Sequence, residues 1–134
     1  MEEIKNYIRM LLKKIIGVRD TISGRRYSDI IEIAKDQIRK TYMSDEISLN
    51  TIAAEVGMSP SYFSSIFSKE MGKTFVEYLT EIRMDRAKEL LMCSSMKISE
   101  IGYEVGYKDP HYFSYIFKKT QNCTPKEFRA RGKE

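Results

Sequence analysis

Residues 98–128 read ISEIGYEVGYKDPHYFSYIFKKTQNCTPKEF, and this stretch decides the fold. An earlier version of it, LNTIAAEVGMSPSYFSSIFSKEMGKTFVEY, occupies residues 49–78. Both copies place Val-Gly after a short apolar pattern and then continue with Pro-x-Tyr-Phe-Ser-x-Ile-Phe. The second copy has one extra residue in its turn, Asp109. The chain therefore contains two similar structural units.

Each copy predicts a helix-turn-helix, in which a short helix, a tight turn and a second helix follow one another. Gly57 and Gly106 stand where the first helix has to end. Ser59-Pro60 and Asp109-Pro110 then begin the second helix, because Ser and Asp are good N-caps and Pro is favoured at the first helical position. Two such units suggest two similar surfaces on one long, repetitive ligand, for which DNA is the obvious candidate.

The second helix of each copy has an apolar and a polar side. Aromatic and aliphatic residues at helical spacing are predicted to face the core: Phe63, Ile66, Phe67, Phe113, Ile116 and Phe117. The residues left facing outward are Ser61, Ser64, Ser65 and Lys69 in the first copy and His111, Ser114, Tyr115 and Lys118 in the second.

The composition predicts a soluble, cytoplasmic, all-α protein. Of the 134 residues, 42% are hydrophobic and 31% charged, which is typical of a globular chain. No 18-residue apolar run is present, so no membrane span is expected, and no segment alternates in the manner of a strand. Cys93 and Cys123 lack metal-ligand spacing and are expected to be reduced thiols. No metal and no cofactor is expected.

Positive charge is concentrated at the two ends of the chain. Residues 1–28 and 108–134 each carry a net charge of +4, whereas residues 29–107 carry −4. The C-terminal cluster contains Lys118, Lys119, Lys126, Arg129, Arg131 and Lys133. Phosphate contacts supply most non-specific affinity for DNA, so this cluster is a candidate footprint, although a solvated basic surface is the ordinary alternative.

The predicted organisation is a connector followed by one DNA-binding domain. Residues 1–27 form an amphipathic connector, with a hinge at 23–26, and residues 28–134 form the domain. Its predicted parts are a helix at Ser28–Met43, a first helix-turn-helix at about 48–72, a linker helix at about 74–93, a second helix-turn-helix at about 97–121 and a last helix at about 124–131.

The connector carries apolar residues at heptad spacing: Ile4, Ile8, Leu11, Ile15, Val18 and Ile22. Such a seam suits a homodimer or a neighbouring domain, and a helix lying on this domain is the alternative. Gly17 weakens the helix by about 1 kcal/mol relative to Ala.

From about Ser28 to Arg131 the chain resembles the AraC/XylS family of bacterial transcription regulators. The resemblance is strongest over Ile98–Phe128 and extends to the linker pattern Tyr78-Leu79-x-x-Ile82-Arg83-x-x-x-Ala87-x-x-Leu90-Leu91. One departure is Asn122, where many members carry Gly. Asn also tolerates a left-handed helix end, so the fold is unaffected.

The resemblance implies a seven-helix domain whose two recognition helices lie in successive major-groove segments of DNA. Carried over by position, the base-contacting residues are Ser61, Ser64, Ser65, His111, Ser114 and Tyr115. The implied backbone contacts are Ser59, Tyr62, Lys69, Lys73, Tyr112, Lys118, Lys119 and the amide end of the helix at Thr124. The resemblance also implies an N-terminal regulatory domain in the parent protein. This is a receiver, as in the response-regulator subgroup of the YesN type, or a ligand-binding domain. RNA polymerase is a further candidate partner.

The side chains predict loose discrimination between bases, because neither face has the Arg, Asn or Gln that reads base edges strongly. Two domains acting together, or the shape of the DNA, are expected to supply the missing specificity.

The alternative function is a helix-turn-helix scaffold used for protein interaction, which inward-pointing Lys118 and Lys119 or apolar recognition faces would favour. An enzyme is not expected, because His111 is the single histidine and no nucleophile or paired-carboxylate motif accompanies it. Activation and repression both remain open.

Overall fold

The computed structural model describes residues 4–6 and 23–132, and every regular element within them is an α-helix. Residues 4–6 are helical, and seven helices follow in the range 23–132: α1 (Ser23–Thr41), α2 (Leu49–Glu55), α3 (Pro60–Met71), α4 (Phe75–Cys93), α5 (Ile98–Glu104), α6 (Pro110–Gln121) and α7 (Pro125–Gly132). The predicted all-α fold is therefore confirmed. Helices α2–α3 and α5–α6 are the two helix-turn-helix pairs, and the long helix α4 connects them along the chain.

Helix α1 begins earlier than the sequence predicts. It starts at Ser23, so residues 23–26 lie in its first turns, where a hinge was expected. A Gly in a helix costs only about 1 kcal/mol relative to Ala, and packing further along the helix outweighs that cost. The buried residues that supply this packing are Ile30, Ile31, Ala34 and Ile38.

The apolar seam predicted for the connector lies almost wholly outside the described residues. Ile4 is described, and it is helical and exposed. The other five seam positions, Ile8, Leu11, Ile15, Val18 and Ile22, fall outside the described ranges. Within residues 4–6 and 23–132, no helical segment has both the length and the apolar character of a membrane span.

The described residues form two compact units. The first takes in 4–6, 23–38 and 48–75, and the second takes in 39–47 and 76–132. In the first unit, the rings of Phe63, Phe67 and Phe75 lie 5.6 to 6.4 Å apart, mostly edge to face. The predicted inward side of α3 is confirmed, because its two Phe side chains and Ile66 are buried.

The core of the second unit lies between α4, α5 and α6. Its buried members are Met84, Ala87, Leu91, Ile101, Val105, Tyr107, Phe113, Phe117 and Cys123. A Cβ atom added to Gly102 would lie 2.8 Å from the ring of Phe113, so α5 and α6 approach closely because position 102 has no side chain. Ile116 is half-buried against this core, as expected for the inward side of α6.

Side-chain oxygens cap the first turns of α2, α3 and α6, and at α3 and α6 they belong to the residues that the sequence predicts. Ser48 caps α2 through a reciprocal pair of hydrogen bonds with Thr51. The hydroxyl of Ser59 accepts the N–H of Tyr62 at 3.3 Å, and a carboxylate oxygen of Asp109 accepts the N–H of His111 at 2.9 Å. Each cap satisfies a backbone donor that the first turn leaves without a helical partner.

The two longer helices of the repeats end in the same manner. Gly72 follows α3 at φ 71° and Asn122 follows α6 at φ 64°, and both donate their backbone N–H to the residue four positions earlier at 2.9 Å. Asn122 therefore occupies the left-handed cap that the sequence predicts for it.

Candidate nucleic-acid interface

Helix α3 presents a small, polar outer face. Ser61 and Ser65 are exposed, and Ser64 is half-buried beside the apolar side of the helix. Serine hydroxyls donate and accept hydrogen bonds, so this face can meet either type of base edge without strong preference. Lys69 is exposed in the last turn of the same helix.

Helix α6 presents an aromatic and basic outer face. His111 is exposed near its start, Tyr112 and Tyr115 are 52% and 58% exposed, and Ser114 is half-buried. Phe113 and Phe117 on the opposite side are fully buried. The helix therefore has an apolar side that fixes it to the unit and an outer side with hydroxyl, imidazole and phenol groups.

The aromatic side chains on α6 are ordered relative to one another. The rings of Tyr112 and Tyr115 are stacked, with centroids 6.4 Å apart and an interplanar angle of 29°. The Nζ atom of Lys119 lies 5.8 Å from the centre of the Tyr115 ring, within the range of a cation–π interaction. Lys118 and Lys119 are both exposed, which is the arrangement that phosphate binding requires.

Tyr62, a predicted backbone contact on α3, is already bonded within the protein. Its hydroxyl donates to the hydroxyl of Tyr27 in α1 at 2.5 Å, and the two rings meet edge to face at 6.2 Å. Tyr62 is still exposed. The site at the start of α3 therefore includes Tyr27, which no local sequence pattern connects with this helix.

The predicted phosphate site at the start of α7 is partly occupied by the protein itself. Thr124 and Glu127 form a capping box, in which a Glu127 carboxylate oxygen accepts the Thr124 N–H at 3.1 Å and the Thr124 hydroxyl accepts the Glu127 N–H at 3.0 Å. Pro125 has no N–H, so Lys126 carries the first-turn donor that this box does not use. The hydrogen bond from the Thr124 N–H holds the pKa of Glu127 below its ordinary value.

Two of the basic side chains differ from the simple expectation of phosphate ligands. Lys73 is half-buried and already interacts within the protein. Arg129, counted in the C-terminal basic cluster, donates to the carbonyl oxygens of Leu91 at 3.0 Å and Ser94 at 3.3 Å. These carbonyls lie at the end of α4, where a cation is favoured by the helix dipole. Arg129 therefore holds the end of a helix.

Arg83 and Tyr107 lie behind the outer face of α6, and local sequence patterns indicate little of their role. Arg83 belongs to the linker pattern of Tyr78–Leu91. Its Nε atom donates to the carbonyl oxygen of Tyr42 at 2.8 Å, and its guanidinium lies 4.8 Å from the centre of the Tyr107 ring. Burial raises the pKa of the Tyr107 hydroxyl, with Arg83 opposing that shift. The available signal was a cation in the middle of an otherwise apolar helix pattern.

Metal-ligating side chains are not clustered in the part of the chain that the structure describes. No group of three or more His, Cys, Asp or Glu side chains that could hold a metal ion occurs in the ranges 4–6 and 23–132. Cys93 is exposed, Cys123 is buried, and both are free thiols. The outward groups of α3 and α6 are hydrogen-bond donors, hydrogen-bond acceptors and cations, which suits the binding of a polar, anionic ligand.

The fold and these two outer faces define a double helix-turn-helix domain. Comparison with known proteins agrees, because a family model described as "Helix-turn-helix domain" matches residues 52–131. The C-terminal domain of AraT, a response regulator from Geobacillus stearothermophilus, is similar with a TM-score of 0.75 and 36% identity, over 76% of this chain and 84% of that one. The C-terminal domain of the response regulator yesN from Fusobacterium nucleatum has a TM-score of 0.72 and 35% identity, over 73% and 95% of the two chains.

A curated relative extends the same pattern. An HTH-type transcriptional regulator in the cgkA 5′ region of Pseudoalteromonas carrageenovora is 36% identical over 100 residues, which is 75% of this chain and 58% of that protein. The chain belongs to the AraC/XylS family of helix-turn-helix transcription regulators. It spans between 34% and 58% of the length of the first three curated relatives, each of which is named as a regulator or regulatory protein.

Proposed function

We propose that this chain binds double-stranded DNA as the output domain of a bacterial transcription regulator, with α3 and α6 reading two successive major-groove segments. The observation that carries the proposal is the repeated amphipathic helix. Each recognition helix buries its Phe residues and exposes a polar outer side. Lys118 and Lys119 are exposed, and the outer faces carry hydroxyl, imidazole and phenol groups, with the rings of Tyr112 and Tyr115 as the apolar part of the α6 face. The inward-pointing lysines that would favour a protein-interaction scaffold are therefore not observed.

We assign base contacts to the outward residues of the two helices: Ser61, Ser64, Ser65, His111, Ser114 and Tyr115. Backbone contacts are assigned to Ser59, Tyr62, Lys69, Lys73, Tyr112, Lys118, Lys119 and the helix end at Thr124. Within this set, exposure favours Lys118 and Lys119 as phosphate ligands over Lys73. The Glu127 carboxylate beside Thr124 makes that helix end a weaker anion site than its free N–H groups alone would be.

The partners of the whole protein follow from its relatives. We propose a regulatory domain N-terminal to this chain in the parent protein, and a cytoplasmic location in a bacterium. Similarity to response-regulator C-terminal domains favours a receiver. We further propose a homodimer through the seam that begins at Ile4, and RNA polymerase as a partner at promoters. Sedimentation of the chain with and without an Ile4→Glu and Leu11→Glu pair would test the dimer.

The test of DNA binding is a fluorescence-anisotropy titration on a random-sequence duplex pool at two salt concentrations, followed by selection of the bound fraction. Salt-sensitive binding with a motif in two segments about one helical turn apart supports the bipartite reader. Salt-sensitive binding without a motif means that this chain holds phosphates alone. Absence of binding at low salt refutes the proposal.

Single substitutions show which recognition helix reads which segment of the selected DNA motif. His111→Ala is expected to relax selection in one segment and Ser65→Ala in the other, because each removes a group from one outer face. Tyr103→Ala is the control, since Tyr103 is exposed on α5 and belongs to neither face. An unchanged motif in both variants would contradict the assignment of these residues to base contacts.

A further inference from the structure

Arg83 is the one charged side chain that is buried among the described residues, at 8% exposure. Burying a cation is costly unless hydrogen bonds replace its water. Arg83 satisfies this condition by donating from Nε to the Tyr42 carbonyl at 2.8 Å and from Nη2 to the Ser44 carbonyl at 2.9 Å. A planar guanidinium held at two points has one orientation, so its flat face is fixed.

The guanidinium of Arg83 occupies the space that a side chain at position 106 would fill, so a glycine is needed there. A Cβ atom at position 106 would lie 2.7 Å from Nη2 of Arg83 and 2.8 Å from the Tyr42 carbonyl oxygen. The next residue, Tyr107, is buried and lies with its ring against the guanidinium, 4.8 Å from the centroid. The Tyr107 ring is therefore held from one side by a cation whose Nε and Nη2 atoms are hydrogen-bonded, and it also packs against the Phe113 ring at 5.8 Å.

A line of aromatic contacts leads from Tyr107 to the outer face of α6. The Tyr107 and Tyr112 rings meet edge to face, 5.8 Å apart at 61°, and Tyr112 stacks on Tyr115 at 6.4 Å. Exposure rises along this line from 8% at Tyr107 to 58% at Tyr115. The inner end of the line is fixed, and its outer end stands where a base edge would be read.

We infer that Arg83 and Tyr107 are positioning residues for DNA recognition, which act by holding Tyr112 and Tyr115 in one arrangement before DNA is bound. The inference rests on the proposed function and names a chemistry for it. An ordered phenol ring on a recognition helix offers a flat apolar surface to the 5-methyl group of thymine. Ordering the ring in the free protein removes an entropy cost from binding and favours one placement of the methyl group.

The test compares Tyr107→Leu and Tyr107→Phe with the unaltered chain. Phe keeps the ring against Tyr112, whereas Leu removes it. Phe128→Leu is the matched control, because Phe128 packs on Phe117 at 5.7 Å in the same core and has no contact in the aromatic line. Two quantities are measured well below each variant's melting temperature. They are the NMR chemical shifts of the Tyr112 and Tyr115 ring protons, and the ratio of affinity for the selected motif to affinity for random duplex.

Tyr107→Leu is expected to move the Tyr112 and Tyr115 ring signals toward solvent-exposed values and to lower the affinity ratio roughly three- to tenfold. A duplex with uracil in place of the contacted thymine should cost the unaltered chain affinity and cost Tyr107→Leu little. Tyr107→Phe should retain the ratio. Arg83→Lys keeps the charge but not the flat fork, and it should behave as Tyr107→Leu does.

An equal loss of the ratio in Phe128→Leu, or unmoved ring signals in Tyr107→Leu, overturns the inference. Binding by the unaltered chain with an unchanged ratio in Tyr107→Leu overturns the inference alone. If the unaltered chain does not bind DNA at low salt, the proposed function fails and the inference fails with it.

Discussion

At position 106, both the backbone conformation and the packing of neighbouring atoms require a residue without a side chain. Its φ is +113°, a conformation that L side chains rarely adopt, and the space beside it is filled by Arg83 and the Tyr42 carbonyl. Gly72 shares a positive φ, at +71°, but has nothing within 4 Å of an added Cβ atom. The two glycines therefore separate backbone strain from steric overlap.

Replacing each glycine by Ala measures those two costs. Gly72→Ala should lower the free energy of unfolding by about 1 kcal/mol, because only the left-handed conformation is penalised. Gly106→Ala should lower it by roughly 3 kcal/mol or more, since strain is added to a collision with a carbonyl oxygen that cannot move freely. Urea denaturation followed by circular dichroism gives both values. Equal losses of unfolding free energy at the two positions would show that the Arg83 guanidinium and the Tyr42 carbonyl move aside to accept a Cβ atom at position 106.

Helix ends are the elements that the sequence predicts best. Ser59 and Asp109 form the caps expected of them, and Ser48 and Thr124 cap α2 and α7 in the same local manner, because a cap depends on residues within three positions of one another. The inward and outward sides of α3 and α6 are equally local, since helical periodicity determines them. The start of α1 was predicted too late because packing outweighs a weak Ser-Gly signal.

Contacts between distant parts of the chain account for what the sequence did not predict. Tyr27 and Tyr62 are 35 positions apart, Arg83 and Tyr42 are 41 apart, and Arg129 and Leu91 are 38 apart. No periodicity or capping pattern relates residues at such separations. The sequence therefore predicts the outward residues of the candidate site. The side chains that support those residues from behind are visible only in the structure.

The end of α6 offers a test of the helix cap. At φ 64° the Cβ atom of Asn122 is strained against the backbone, and Gly has no such atom. Asn122→Gly should therefore raise the free energy of unfolding by about 0.5 kcal/mol. Gly72→Asn, the reciprocal change at the end of α3, should lower it by a similar amount. Denaturant unfolding of both variants gives the comparison. A loss of stability in Asn122→Gly would mean that the Asn side chain makes a contribution beyond its backbone conformation.

The start of α7 carries a pH-dependent contribution. The folded-state pKa of Glu127 is lowered by the Thr124 N–H, so its stabilisation is present above the unfolded pKa of about 4.3 and is lost as the pH falls through the folded value. Glu127→Gln should therefore melt lower than the unaltered chain near neutral pH, and the two should converge in acid. Melting temperatures from about pH 3 to about pH 7 test this.

Glu100→Gln is the control for that titration, because Glu100 lies in the first turn of α5, whose N-cap makes no side-chain hydrogen bond. Its melting temperature should stay closer to that of the unaltered chain across the range. A gap for Glu127→Gln that persists in acid would assign its effect to lost packing instead of lost charge.

At the scale of the whole molecule, charge is arranged by position along the chain. Residues 108–134, which contain α6 and α7, carry a net charge of +4, and residues 29–107 carry −4. The guanidinium of Arg129 is hydrogen-bonded to a carbonyl at the end of α4, so it is less available to a phosphate. The exposed lysines on α6 are therefore expected to contribute more of the phosphate binding than a count of basic residues implies. Net charge alone therefore overstates the DNA footprint, and individual lysines need to be tested.

Lys118→Gln is expected to weaken DNA binding to all sequences alike and to reduce the slope of log affinity against log salt by about 1, because one phosphate contact releases about one counterion. Lys88→Gln makes the same change in net charge on α4, at a lysine that pairs with Asp85 at 3.5 Å, and it should leave the slope unchanged. Anisotropy titrations over a series of salt concentrations give both slopes. Equal reductions in the two variants would attribute the effect to overall charge, and an unchanged slope in Lys118→Gln would remove α6 from the phosphate-binding surface.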